Sequence, residues 1–272
     1  MTPAGAFSHA TRKWLILLLV FSIAVVLLAV TMPPTSQPHT YHQFADQRTL
    51  LGIPNFMNVV SNLAILLSGL LGLSYLWRSY RRPDGTEQRH FLTTAEYWPY
   101  VVLFASVVLV APGSAYYHWE SNNASLLWDR LPIAVGVSAL LAAVLSDRIN
   151  PRLGLWALPA LIFMGAGSVI YWYWSEQQGA GNLNYYIVIQ FYSLLLAVLL
   201  SLLLPSRYTR GSDINKAIGL YAVAKFAETF DQQIFDLGQI ISGHTLKHLF
   251  AALSIWWIVR MLKKRTPVSA KR

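Results

Sequence analysis

The chain has 272 residues, 55% of them hydrophobic and only 12% charged, with ten tryptophans and fourteen tyrosines. That balance is too apolar for a soluble domain of this length and reads as an integral membrane protein. No cysteine is present, which excludes disulfides and thiolate metal sites, so any metal must rest on His, Asp, Glu or water.

Eight apolar stretches are long enough to cross roughly 30 Å of hydrocarbon. They predict an all-α, polytopic transmembrane helix bundle with spans near residues 14–32, 55–77, 96–119, 124–146, 153–174, 183–204, 214–235 and 243–262. The first follows Arg12 and Lys13. Its run exceeds the apolar region of a usual signal peptide and "AVTMPP" is a poor cleavage site, so a retained anchor is expected; cleavage would leave seven spans. The outer segment "PPTSQPHTYHQFADQRTLLGIP", residues 33–54, reads as an extended loop with a short surface helix. Residues 78–94 and the tail "KKRTPVSAKR" are basic and read as solvated segments of the inner face. "YWYW" at 171–174 and the pair Trp256 and Trp257 suit aromatic anchoring or helix packing. The seventh stretch is the weakest, because it carries Lys225, Glu228, Asp231 and Asp236. The first three of these recur at three-residue steps, where they neutralise one another or reach the outer interface. No repeat is visible. The chain divides into an anchor and outer loop (1–54), a seven-helix core (55–262) and a basic tail (263–272).

A net charge of +9 invites a nucleic-acid reading, which the placement of the basic residues removes. With the N-terminus in the cytoplasm, Arg12, Lys13, Arg78, Arg81, Arg82, Arg89, Arg148, Arg152, Arg207, Arg210, Lys216, Arg260, Lys263, Lys264, Arg265, Lys271 and Arg272 share one side. Arg48 and Arg130 fall on the other, and Lys225 and Lys247 inside spans. This is the positive-inside bias of an eight-span protein with both termini cytoplasmic.

Polar groups then converge at one level. The third span runs outward to His118 and the fourth returns from Asp129, joined by the short "ESNNAS". Ser114 and His118 are four apart, on one helical face, with the serine about 6 Å deeper. The last span opens with "SGHTLKHLF", placing His244 at its mouth and His248 one turn deeper. Two histidines so spaced can bind one metal ion, and His118 at matching depth would complete three ligands. Asn58, Ser61 and Asn62 of the second span arrive at the same level. Taken singly, each has a plainer reading: a packed histidine, a back-bonded serine, Asp129 capping its helix or pairing with Arg130, asparagines as interhelical glue. Four helices bringing such groups to one depth, with the inner half mostly apolar, points to a functional site in the outer half.

"GSAYYH" followed by "WDRLP", "HTLKH" near the end and "NVVSN" upstream resemble the alkaline ceramidase family, which belongs with the progestin and adipoQ receptors. The resemblance covers residues 55–262 and makes the first span an addition to a seven-helix core. It implies His118, His244 and His248 as zinc ligands, Ser114 and Asp129 as the accompanying catalytic pair, and a ceramide-like N-acyl lipid as substrate. Two departures stand out. Where the family carries an acidic calcium-binding cluster, "FADQRTLLGIPNF" offers only Asp46 and has Asn55 in place of a glutamate, so no calcium site is expected. Lys247 replaces the tryptophan usual before the last histidine, and either snorkels to the headgroups or touches a polar substrate. A zinc-containing receptor or sensor is the alternative from another class. An ester-cleaving lipase is a variant of the enzyme, and a transporter ranks last because the inner half lacks a polar path.

Overall fold

The computed structural model describes residues 8–81 and 91–268. Arg82 and Arg89 of the basic loop, and Lys271 and Arg272 of the tail, lie outside the described residues.

The described chain is all-helical, with only two isolated backbone bridges. In order come α1 (His9–Thr31), α2 (Phe56–Val60), α3 (Asn62–Arg81), α4 (Tyr97–Trp119), α5 (Asn123–Arg148), α6 (Pro151–Gln177), α7 (Asn184–Ile187), α8 (Ser193–Leu203), α9 (Asp213–Thr229), α10 (Asp231–Asp236) and α11 (Gly243–Lys264). The helix α2 nearly continues into α3, and a π-helical turn at Val188–Tyr192 joins α7 to α8.

Local chemistry fixes several boundaries. Asn122 begins α5 by accepting from the Ala124 and Ser125 backbone N–H groups, and Ser125 reciprocates to the Asn122 N–H, a capping box. The cap of this helix is therefore Asn122, and Asp129 and Pro132 lie well inside it. Asn150 and Pro151 start α6 the same way, with the Asn150 side chain accepting from Arg152 N–H.

Among the described residues, seven helices are long and apolar enough to cross a membrane: His9–Thr31, Phe56–Tyr80, Thr94–Trp119, Asn123–Arg148, Pro151–Gln177, Asn184–Leu203 and Gly243–Lys264. The expected span at 214–235 is not among them. The chain breaks at Phe230, leaving α9 with 17 residues and charged groups at Lys216, Lys225 and Glu228. Yet α9 runs antiparallel beside α11 over that length. At one end Thr209 N–H donates to Thr266 O, and at the other the Asp231 carboxylate accepts from His244 N–H. Seventeen residues at 1.5 Å each cover about 26 Å, so α9 complements α11 without meeting the length of a free-standing span.

Packing closes a ring in the order α3, α4, α5, α8, α9, α11 and back to α3. The helix α6 flanks α5, and α1 lies outside against α7 and α8. Most of α5 is buried, through small residues such as Ala134, Ser138, Ala139, Ala142 and Ala143 that let its neighbours approach. A main core of Leu103, Phe104, Leu140, Leu141, Ile258 and Leu262 fills the end away from the histidines, and a smaller one around Phe44, Tyr117, Leu126 and Trp172 lies near them. The outer segment folds back over that second core, with a 3-10 turn at His39–His42 and Phe44 and Asp46 buried. It is a packed cover, more than the extended loop its polar composition suggests.

Candidate metal centre

The sequence places one histidine on α4 and two on α11; the fold brings them together. His118, His244 and His248 are all buried, and each offers a ring nitrogen within 4.8 Å of the other two. Ring centroids lie 4.7 to 5.1 Å apart in edge-on arrangements, and Nε2 of His118 is 3.3 Å from Nε2 of His248. No carboxylate belongs to the group. It could hold a metal ion.

Tautomers test that fit. Ser61 Oγ donates to the Asn58 carbonyl at 3.1 Å, so its lone pair faces His248 Nδ1 at 2.7 Å and accepts that N–H. His248 Nε2 is then a bare lone pair pointing at His118, the orientation that a hydroxyl or carbonyl imposes on metal-ligating histidines. Nδ1 of His118 has no hydrogen-bond partner among the described residues. At His244, Lys247 Nζ lies 2.7 Å from Nε2, and since an ammonium only donates, this nitrogen is an acceptor. A cation held by all three rings would compete with Lys247 for that lone pair, leaving the lysine its 3.0 Å bond to Glu228.

The surroundings position the rings. Gly113 sits where a Cβ would collide with the Trp128 carbonyl of α5. That carbonyl is the one Pro132 cannot reach, having no N–H to donate four residues back, so α4 closes on α5 beside the gap. Asn55, in a left-handed conformation at φ 48°, donates from Nδ2 to the His118 carbonyl at 2.8 Å. Phe44 packs its ring against His118 and His244, at 4.6 and 4.9 Å between centroids. Asp231 fastens the cover to α11, accepting from Ala45 N–H and His244 N–H at 2.9 and 2.7 Å.

Ser114 and Asp129 are buried, and the serine hydroxyl faces the carboxylate. Both line a cavity of roughly 310 Å³ inside the helix ring, and His248 opens onto it. Its walls are polar at one end, where Lys225, Glu228 and Lys247 join them, and apolar beyond, along Leu103, Val107, Leu140, Leu194 and Ile258.

No protein family's profile and no curated protein matches this chain.

The remaining expectations sort by contact. Asn58 serves as interhelical glue, its Oδ1 accepting from Thr245 Oγ1 of α11 at 2.9 Å, whereas Asn62 Nδ2 bonds back one turn to the Asn58 carbonyl. Lys225 and Glu228 form an ion pair, whereas Asp231 caps α11 instead of joining them. Arg130 turns away from Asp129 toward Gln37 and three aromatic rings. Asp46 is paired with Arg48 at 2.6 Å. Sequence reasoning missed the contributions of Phe44 and Gln37 and the bond from Lys247 to His244; for the last, the i, i+3 spacing in "HTLK" was a readable signal.

Proposed function

We propose that this chain is a zinc-dependent intramembrane amidohydrolase that cleaves the amide bond of ceramide or a related N-acyl lipid, releasing a sphingoid base or amine and a fatty acid. One observation carries the reading: the three-histidine cluster meets, through His248, a cavity with Ser114 and Asp129 at one end and apolar walls at the other. The resemblance of "GSAYYH", "WDRLP" and "HTLKH" to the alkaline ceramidases supports it. An acyl chain fills the apolar part, and its carbonyl then lies at the level of the serine, the aspartate and the histidines.

His118, His244 and His248 would hold the ion. Bound zinc supplies a Lewis acid and lowers the pKa of a water from 15.7 toward about 7. Ser114 turns its O–H from Asp129 to the carbonyl oxygen as negative charge develops there. Asp129 takes the proton of the attacking water and delivers it to the leaving nitrogen, so that hydroxide ends on the acyl carbon and the proton on the amine. Burial of both groups excludes bulk water from these steps. The site lies in the outer half of a multi-pass protein with both termini cytoplasmic.

The test is His248→Ala in purified protein. Both bound zinc and ceramide hydrolysis are expected to be lost; normal turnover in that variant rejects the proposal. Retained zinc in the native chain without release of fatty acid from any N-acyl lipid would leave a receptor or sensor.

A further inference from the structure

The polar end of the cavity holds more positive charge than hydrolysis of a neutral amide uses. Arg130, Lys225 and Lys247 contribute to its wall against two carboxylates, Asp129 and Glu228, an excess of one positive charge (three minus two). Glu228 is shared, accepting from Lys225 and from Lys247. Arg130 is only 5% exposed and has no ion pair among the described residues. One nitrogen, Nη2, donates to Gln37 Oε1 at 2.6 Å, while Nη1 has no hydrogen-bond partner among the described residues. The guanidinium lies over Trp172, Tyr186 and Tyr41 at 4.3, 5.0 and 5.2 Å from the ring centroids. The carboxylate of Glu176 lies behind this box and meets the guanidinium only through it, accepting from Gln37 N–H at 2.6 Å and Trp172 Nε1 at 3.1 Å.

Rings and an amide orient a guanidinium but give it no direct ion pair. Inside a helix bundle at membrane depth, such charge is costly and is retained where a counter-charge arrives. Three neutral imidazoles add no counter-charge, and a divalent ion on them would deepen the imbalance. Aspects of position agree. Tyr41 and Gln37 belong to the cover, so Arg130 sits at the covered end, opposite the apolar walls that suit a chain.

We propose that this end receives an anionic headgroup, and that the lipid taken by the site is a single-chain N-acyl amphiphile with a carboxylate on the amine side of its amide. The inference rests on the amidase reading for the position of the scissile bond, but its test does not need turnover.

Full-length protein loaded with zinc in phosphatidylcholine nanodiscs is titrated with N-palmitoylglycine, with the neutral N-palmitoylethanolamine of the same chain, and with palmitate. The glycine lipid is expected to bind at least about tenfold more tightly than the ethanolamine lipid, and Arg130→Gln to remove most of that preference while leaving the neutral lipid's affinity unchanged. Arg130→Lys keeps the charge and should keep part of the preference. Should Arg130→Gln not fold, Lys225→Gln takes its place, with a reduced preference expected. Equal binding of the two lipids by the native chain, or a preference undiminished in the glutamine variants, overturns the proposal. Palmitate bound as tightly as the glycine lipid, and weakened equally in Arg130→Gln, overturns the headgroup assignment in favour of the product acid. Release of palmitate is followed in parallel. A binding preference without release sinks the amidase reading alone, and release from both lipids without a binding preference sinks this inference alone.

Discussion

Ser61, with the Asn58 carbonyl beside it, faces Nδ1 of His248 and favours the tautomer that leaves Nε2 free. Its hydroxyl proton is taken by the Asn58 carbonyl, so it can only accept from Nδ1, and the ligand lone pair is left on Nε2. Ser61→Ala removes that acceptor without opening a large space. Zinc affinity is expected to fall by roughly 10- to 100-fold, as for other groups that orient a metal-binding histidine. Chelator competition on the purified variant measures this, and an unchanged affinity would show that the hydroxyl does not set the tautomer. At this scale the sequence was most informative. Ser114 and His118, and His244 and His248, are each one helical turn apart, and that spacing is rigid enough to survive folding. Contacts between groups distant in the chain were not readable. Phe44 reaches the histidines only because the outer segment folds back, and Arg130 avoids its neighbour Asp129 because successive helical residues point about 100° apart.

Elements meet closely where a backbone gap allows it. Gly113 on α4 touches the Trp128 carbonyl of α5, left without its helical donor by Pro132. Gly113→Ala inserts a methyl group into backbone that cannot yield, and overpacking of this kind costs about 1–3 kcal/mol. Since Ser114 and His118 ride on α4 and Asp129 on α5, the same wedge separates them. The expected result is a lower unfolding temperature in detergent together with loss of hydrolysis; native values for both would show that the interface accommodates the methyl. The outer segment is held differently. His42 lies between Tyr117 Oη and Asn123 Oδ1, 3.0 Å from each. Burial outweighs the Asn123 bond and holds this imidazole below its ordinary value of about 6.5. A group whose folded pKa is lowered binds fewer protons when docked, so docking is fully present above about pH 6.5 and weakens as pH falls toward the docked-state value. Backbone amides of residues 39–46 should therefore exchange hydrogen faster near pH 5 than near pH 7.5, after correction for intrinsic rates; equal protection would exclude His42 as the cause. Composition concealed this docking. Prolines and polar residues read as loop, and what buries Phe44 and Asp46 is a surface supplied by three other helices.

For the whole molecule, hydropathy read seven of the helices directly and α9 poorly, because its charges are neutralised in pairs that a hydropathy sum ignores: Lys225 meets Glu228 one turn along α9, and Glu228 also meets Lys247 of α11, a partner that only the fold provides. With α9 crossing beside α11, the proposed topology has eight antiparallel passages and would return the end of α11 to the side where α1 begins. The basic residues agree with that geometry. Arg148, Arg152, Arg207, Arg210, Lys263, Lys264 and Arg265 cluster where α5, α8 and α11 finish, at the end away from the histidines. On the proposed topology, the positive-inside bias would put that end in the cytoplasm and the histidines in the outer half. A chain without native cysteine makes the assignment testable with single substitutions. Ala124, exposed in the first turn of α5 at the histidine end, suits one label, and Arg152, exposed in the first turn of α6 at the opposite end, suits the other. In intact cells an impermeant maleimide should modify Ala124→Cys, and should reach Arg152→Cys only after the membrane is opened. The reverse pattern would turn the site toward the cytoplasm, and modification of both from outside would mean that α5 does not cross between them.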